Sequence, residues 1–130
     1  MRIEHTGFPV GDPLQVAPWY CAHLGFRVAR QMKTSPFTTF LVDASGHSMV
    51  EMYNNPAVAV PDYRSMNPLL LHVAFAVDDE PIAQVRDRLL AAGATIVTDL
   101  TTTAGGDQLV MLRDPWGLAI QLVQRKAALT

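Results

Sequence analysis

Four polar residues in this chain have side chains that bind cations: His5, Glu51, His72 and Gln121. Two neutral imidazoles, one carboxylate and one amide oxygen suit a divalent first-row metal such as Zn²⁺, Ni²⁺, Fe²⁺ or Mn²⁺. Such a set leaves two or more coordination positions for water or substrate, as a catalytic metal requires. Each residue alone has a plainer explanation. A single histidine in an apolar strand is more often a satisfied core residue than a ligand. A glutamate within Met49-Val-Glu-Met-Tyr53 could face solvent from an edge strand. What favours the metal is that all four stand at matched positions of an internal repeat.

The elements that must position them occur twice in the same order. Each half opens with a short strand around one histidine, Ile3-Glu-His-Thr6 and Leu71-His-Val-Ala74. An acidic residue and a proline then signal a helix start, Asp12-Pro13 and Asp79-Glu-Pro81. Apolar residues follow at helical spacing: Val16, Trp19, Tyr20 and Leu24, then Ile82, Val85 and Leu89. A glycine stops each helix, Gly25 and Gly93. Three strands come next in each half, over 26–33, 37–43 and 48–54, and over 95–98, 108–113 and 118–124. Tight turns, Asp43-Ala-Ser-Gly46 and Asp114-Pro-Trp-Gly117, join the last two strands of each half. His5 and His72 are 67 positions apart, Gly25 and Gly93 are 68, Glu51 and Gln121 are 70, and Asp43 and Asp114 are 71. The reading is α+β, βαβββ twice, in one domain over 1–130. Module 1 spans about 1–54, a linker 55–67, and module 2 about 68–125.

Alternation along the strands assigns faces. Leu70, Ala74 and Ala76 share His72's side, with bulky Leu71, Val73, Phe75 and Val77 opposite. Ala119 and Val123 lie with Gln121, Met49 and Tyr53 with Glu51, and Ile3 and Gly7 with His5. The bulky faces suit helix cover, and the small-residue faces leave room above the sheet. The four polar groups thus fall on what reads as one uncovered face, where pairing of the modules about a pseudo-twofold axis would let them converge.

Composition narrows the classes. Of 130 residues, 49% are hydrophobic and 17% charged, with net charge −2, which fits one globular domain and excludes the basic footprint of a nucleic-acid binder. No apolar run approaches a membrane span, and no signal core follows Met1-Arg-Ile-Glu-His5. The one cysteine, Cys21, excludes an internal disulfide, so a cytoplasmic location with a reduced thiol is expected. Cys21 reads as a buried structural thiol, and His23 and His47 as exposed. The run Thr101-Thr-Thr-Ala-Gly-Gly106 reads as a flexible loop, since no lysine and helix follow it as a phosphate cradle would need. Arg64 and Arg113 could bind an anionic substrate, although surface arginines are the commoner outcome. Phe37, Tyr53, Tyr63 and Met66 could line a cup.

Four segments carry a family resemblance: His5-Thr-Gly-Phe8, Trp19-Tyr-Cys-Ala-His-Leu-Gly-Phe26, Leu71-His-Val-Ala-Phe75 and Asp114-Pro-Trp-Gly-Leu-Ala-Ile-Gln-Leu122. The chain resembles the vicinal oxygen chelate superfamily over residues 1–125. That superfamily groups glyoxalase I, extradiol dioxygenases, fosfomycin-modifying enzymes and bleomycin-resistance proteins. The resemblance implies two βαβββ modules pairing into a curved, half-barrel mixed sheet with helices on the outer face. It places the four metal ligands on His5, Glu51, His72 and Gln121. The fourth departs from the family, which most often has glutamate there and uses it in glyoxalase-like members as the proton-transferring base. An amide ligates through oxygen but cannot take a proton at neutral pH, so Glu51 is left as the catalytic base.

Three functions compete. The first is a divalent-metal-dependent lyase or isomerase of glyoxalase I type on a small substrate that chelates through two oxygens. The second is an Fe²⁺ extradiol-type dioxygenase, since His5, His72 and Glu51 satisfy the two-histidine, one-carboxylate rule; no further histidine is placed near bound oxygen, and dioxygenase chains are usually longer. The third is a module that sequesters an antibiotic or small aromatic ligand without turnover. A small-molecule partner is expected in every case, with neither nucleic acid nor membrane. A homodimer is also expected, because an open cup exposes sheet edges that are normally paired.

Overall fold

Asp12 starts the first helix by accepting a hydrogen bond from the Leu14 backbone N–H at 2.9 Å, with Pro13 opening the first turn. In the computed structural model, which describes residues 1–129, this helix, α1, runs Pro13–Leu24. It ends at Gly25, whose φ of +72° is a left-handed cap that a glycine adopts without steric cost. The first strand, β1, is His5–Pro9; after α1 come β2 (Arg27–Gln31), β3 (Thr39–Val42) and β4 (Met49–Tyr53). In the second half, β5 (Val73–Ala76) leads to α2 (Ile82–Ala91), β6 (Thr95–Thr102), β7 (Gln108–Arg113) and β8 (Ala119–Gln124). Both halves are therefore βαβββ, in the α+β class that the repeat implies.

The chain forms two compact units, one over Met1–Pro61 and the other from Asp62 onward. Each holds an open, four-stranded mixed sheet, in the order β1-β4-β3-β2 in unit 1 and β5-β8-β7-β6 in unit 2. In each sheet the first strand runs parallel to the last, and the other pairs are antiparallel. The second half of the 55–67 linker folds with unit 2.

Each helix buries one stripe against its own sheet. Val16, Ala17 and Tyr20 of α1 pack over a floor that includes Leu41, Val50 and Met52. Ile82, Val85 and Leu89 of α2 pack over a floor that includes Val110, Leu112, Ile120 and Leu122. Each such side chain contributes roughly 1.5–3 kcal/mol by leaving water. The start of α2 has no cap from its own flanking residue. Gln124 of β8 supplies it instead, accepting from Ile82 N–H at 3.3 Å and donating to the carbonyls of Val77 and Glu80.

Several expectations need correcting. β6 runs to Thr102, so Thr101 and Thr102 belong to a strand; a turn over 103–107 follows, closed by Thr103 N–H to the Asp107 carbonyl at 2.9 Å. His72 lies just before β5 and not within it. His23 is half-buried, with its ring 5.3 Å from that of Trp19, because the last turn of α1 stacks the two residues four apart. Cys21 is half-buried rather than fully so, and partial burial pushes its thiol pKa upward. Tyr63 is buried, as an anchor of unit 2.

Candidate functional site

Parallel pairing of β1 with β4 brings the two candidate ligands of unit 1 together. His5 stands opposite Met49, and Gly7 opposite Glu51. His5 and Glu51 therefore lie one rung apart on the same face, and His5 Nε2 is 3.3 Å from Glu51 Oε2. Gly7 keeps the carboxylate's space open: a Cβ there would come 3.1 Å from Glu51 Oε2 and 3.3 Å from the Tyr53 ring. On β3, Phe40 pairs with Glu51 and sets its ring edge-on to the His5 imidazole, centroids 5.4 Å apart.

The His5 ring is held on its other side as well. Nδ1 pairs with the Glu4 carboxylate, a contact that raises the imidazole's pKa above its ordinary value; the charges of Glu4 and Glu51 add to the rise and burial opposes it. A carboxylate can only accept, so in the neutral ring Nδ1 carries the proton and the Nε2 lone pair faces the Glu51 oxygen. Two acceptors across 3.3 Å repel unless a cation stands between them. That cation is either the ring's second proton or a metal. Ligands of one divalent ion, bound at about 2.0–2.2 Å, lie roughly 3.0–3.5 Å apart for octahedral to tetrahedral angles. The pair is spaced for a metal, and Glu4 completes the carboxylate–histidine arrangement usual behind a metal-bound imidazole.

Unit 2 repeats the register with three changes of residue. Ala74 stands opposite Gln121 as Gly7 does opposite Glu51, and Met111 of β7 takes the place of Phe40. The repeat equivalence of Glu51 with Gln121 is thus a matter of strand register. His72 Nδ1 lies 2.9 Å from the Pro68 carbonyl oxygen. A carbonyl only accepts, so this ring too is protonated at Nδ1 when neutral, and Nε2 carries the lone pair. Each unit presents a pair of candidate ligands. Among the described residues no three His, Cys, Asp or Glu side chains gather into a cluster of their own.

Beside Gln121 is a cavity of about 300 Å³, walled by Asn67, Pro68, Leu69, Thr98, Thr101, Leu109 and Met111. None of these side chains is charged. Two hydroxyls and two amides are set among aliphatic groups, a lining for an uncharged, largely apolar moiety.

The arginines considered for an anion are occupied elsewhere. Arg113 donates to the carbonyls of Tyr63, Met66 and Gly117, and Arg64 to that of Pro115. Their work is structural, and no sequence motif marks it, because backbone carbonyls are acceptors everywhere. Sequence reasoning also passed over Glu4 and Pro68. Both signals were local, an acid next to one histidine and a proline four positions before the other.

Two successive βαβββ modules, each built on an open four-stranded mixed sheet with Glu51 and Gln121 at the same register position, define a duplicated α+β class. The family model described as the Glyoxalase/Bleomycin resistance protein/Dioxygenase superfamily matches residues 2–122, and the chain belongs to that superfamily. It is similar to a probable lactoylglutathione lyase of Vibrio cholerae, with 30% identity covering 98% of this chain and 93% of that one. Among solved structures, a glyoxalase family protein from Bacillus cereus superposes with a TM-score of 0.80 at 18% identity, covering 95% and 93% of the two chains. An antibiotic-binding protein from a Streptomyces species superposes with a TM-score of 0.71 at 18% identity, covering 97% of each. Likeness at such identities shows the shared fold.

Proposed function

We propose that this protein is a divalent-metal-dependent lyase or isomerase of glyoxalase type, with His5, Glu51, His72 and Gln121 as the metal ligands and Glu51 as the proton-transferring base. The observation that carries this reading is the His5–Glu51 pair, whose 3.3 Å spacing suits two ligands of one divalent ion. The probable lactoylglutathione lyase of Vibrio cholerae supports the same reaction class. A bound cation supplies Lewis-acid polarisation of two neighbouring substrate oxygens. The chain's own part is to orient and to move a proton. Glu4 and the Pro68 carbonyl each hold the Nδ1 proton of an imidazole, which leaves Nε2 as the atom that would meet the metal. Glu51 is the carboxylate able to take a proton from the adjacent carbon, and Gln121 contributes an oxygen without basicity. The cavity beside Gln121 receives the uncharged remainder of the substrate.

A second reading is favoured by that same cavity and by the amide at 121: a module that holds a small apolar ligand without turnover, in keeping with its structural similarity to an antibiotic-binding protein. Elemental analysis of untagged protein, followed by a glyoxalase assay with Zn²⁺, Ni²⁺, Fe²⁺ and Mn²⁺ in turn, separates the two. Stoichiometric metal and turnover abolished in Glu51→Gln support the lyase. Protein that binds no added metal but takes up an aromatic ligand supports the binding module.

We also propose a cytoplasmic homodimer. The outer strands β2 and β6 are exposed along almost their whole length, an arrangement that sheets usually cover or pair. Sedimentation as a 14.2 kDa monomer at micromolar concentration would reject the dimer.

A further inference from the structure

Arg113 closes β7 and turns its guanidinium onto the segment that leads into β5. Nη1 donates to the carbonyls of Tyr63 at 2.7 Å and Gly117 at 3.0 Å, and Nη2 donates to that of Met66 at 2.7 Å. From within the segment Arg64 reaches the opposite way, to the Pro115 carbonyl. The strap over 63–67 is thereby tied from both sides to the turn between β7 and β8. The approach is close: at Gly117, with φ +102°, a Cβ would lie 2.9 Å from the Arg64 backbone nitrogen. Two residues beyond Met66 is Pro68, whose carbonyl receives His72 Nδ1–H at 2.9 Å, and Asn67, Pro68 and Leu69 form one wall of the cavity.

We propose that Arg113 is a positioning residue for His72. By fixing the carbonyls of the strap it fixes the Pro68 oxygen, and through that oxygen it keeps the neutral His72 ring in the Nδ1–H form with the Nε2 lone pair free. The inference deepens the metal reading and rests on it for its purpose, since a ring protonated at Nε2 cannot ligate through that atom. Three carbonyls are held by one planar fork of donors, a geometry that a lysine ammonium cannot reproduce. Free imidazole side chains in water prefer the Nε2–H tautomer, so the Pro68 contact works against the default.

The test is imidazole ¹⁵N spectroscopy on the metal-free full chain, at a pH where the rings are neutral, for wild type, Arg113→Ala, Arg113→Lys and Arg64→Ala. His72 in the wild type should show a pyrrole-type Nδ1 and a pyridine-type Nε2. Both Arg113 variants should move it toward Nε2–H, while His5, with Glu4 as its own partner, stays unchanged as the internal reference. Zn²⁺ affinity should fall roughly 10- to 100-fold in step, the usual effect of losing an outer-shell contact. If Arg113→Ala does not fold, Arg113→Lys and Arg64→Ala supply the readout. A wild-type His72 in the Nε2–H form, or a tautomer unmoved in the folded variants, overturns the proposal. A tautomer that moves while Zn²⁺ affinity does not supports the positioning role and overturns His72 as a ligand.

Discussion

The Nε2 atom of His5 and the Oε2 atom of Glu51 face each other across 3.3 Å, on two strands whose parallel register sets them one rung apart. Glu4 takes the ring's other nitrogen, so a proton on Nε2 would lie between the ring and the Glu51 carboxylate. If the proposed metal binds there it would replace that proton, and metal uptake should then release it.

Gly7 gives this relationship a sharp test. A methyl group there would come 3.1 Å from Glu51 Oε2, closer than ordinary contact, and 3.3 Å from the Tyr53 ring. Gly7→Ala should turn the carboxylate away from His5 and weaken metal binding without unfolding unit 1. Calorimetric titration with Zn²⁺, with circular dichroism as the folding check, would decide. Unchanged affinity in a folded variant would show that Glu51 does not need its observed position.

The core of unit 2 should respond as a packed interior does. Leu112 is fully buried, paired with Ile96 and Ile120 under α2. Leu112→Ala should cost about 2–5 kcal/mol, because the cavity it leaves can only partly collapse. Denaturant unfolding of the two proteins gives the difference directly. A loss under 1 kcal/mol would mean that this layer is loosely packed.

Much of this architecture was legible because each module repeats its own signals. Asp12, Gly25 and the Asp43 and Asp114 turns are local devices whose geometry follows from residue type, and all four stand where the sequence puts them. The matched positions of Glu51 and Gln121 were readable from alternation alone. The end of β6 was not, because Thr101 and Thr102 join a glycine-rich run that reads as loop until Leu109 and Gln108 pair with them. Nor was the role of Arg113, since its partners are carbonyls 47 and 50 positions away, and no side-chain pattern encodes those.

Acid should destabilise the fold through its paired carboxylates. Arg88 grips Glu80 with both guanidinium nitrogens, at 2.8 and 2.9 Å, and holds its carboxyl below the ordinary value. The Lys126 backbone N–H, followed by Arg125, does the same for Asp107. A carboxyl with a lowered folded-state pKa contributes stability above its unfolded value and loses it as pH falls through the folded one. The unfolding midpoint should therefore drop below about pH 4, while His5, whose folded-state pKa Glu4 raises, should lift it slightly as pH falls from 7 to 5. Because these pairs are solvent-exposed, the drop should be modest. Glu80→Gln should flatten part of it. A midpoint that did not fall below about pH 4 would show that these pairs do not stabilise the fold.

The sharpest outcome concerns Gln121. Its register partner in the repeat is Glu51, so the two halves differ at this position by one basic group and one charge. Gln121→Glu should keep or tighten metal binding, because a carboxylate adds a full negative charge where the amide offers a dipole. It should also place a proton acceptor at position 121. General-base assistance is worth on the order of 10²–10⁴ in rate, so any proton-transfer activity should rise well above background. Glu51→Gln should act the other way, lowering both metal affinity and turnover, since it removes the carboxylate that faces His5. The double variant Glu51→Gln/Gln121→Glu moves the carboxylate from one half of the repeat to the other. Recovery of activity there would show that the two positions are functionally equivalent. If Gln121→Glu alone changed neither metal affinity nor activity, residue 121 would be a bystander. The site would then be the two-histidine, one-carboxylate set of His5, His72 and Glu51, and the iron oxygenase reading would gain over the lyase.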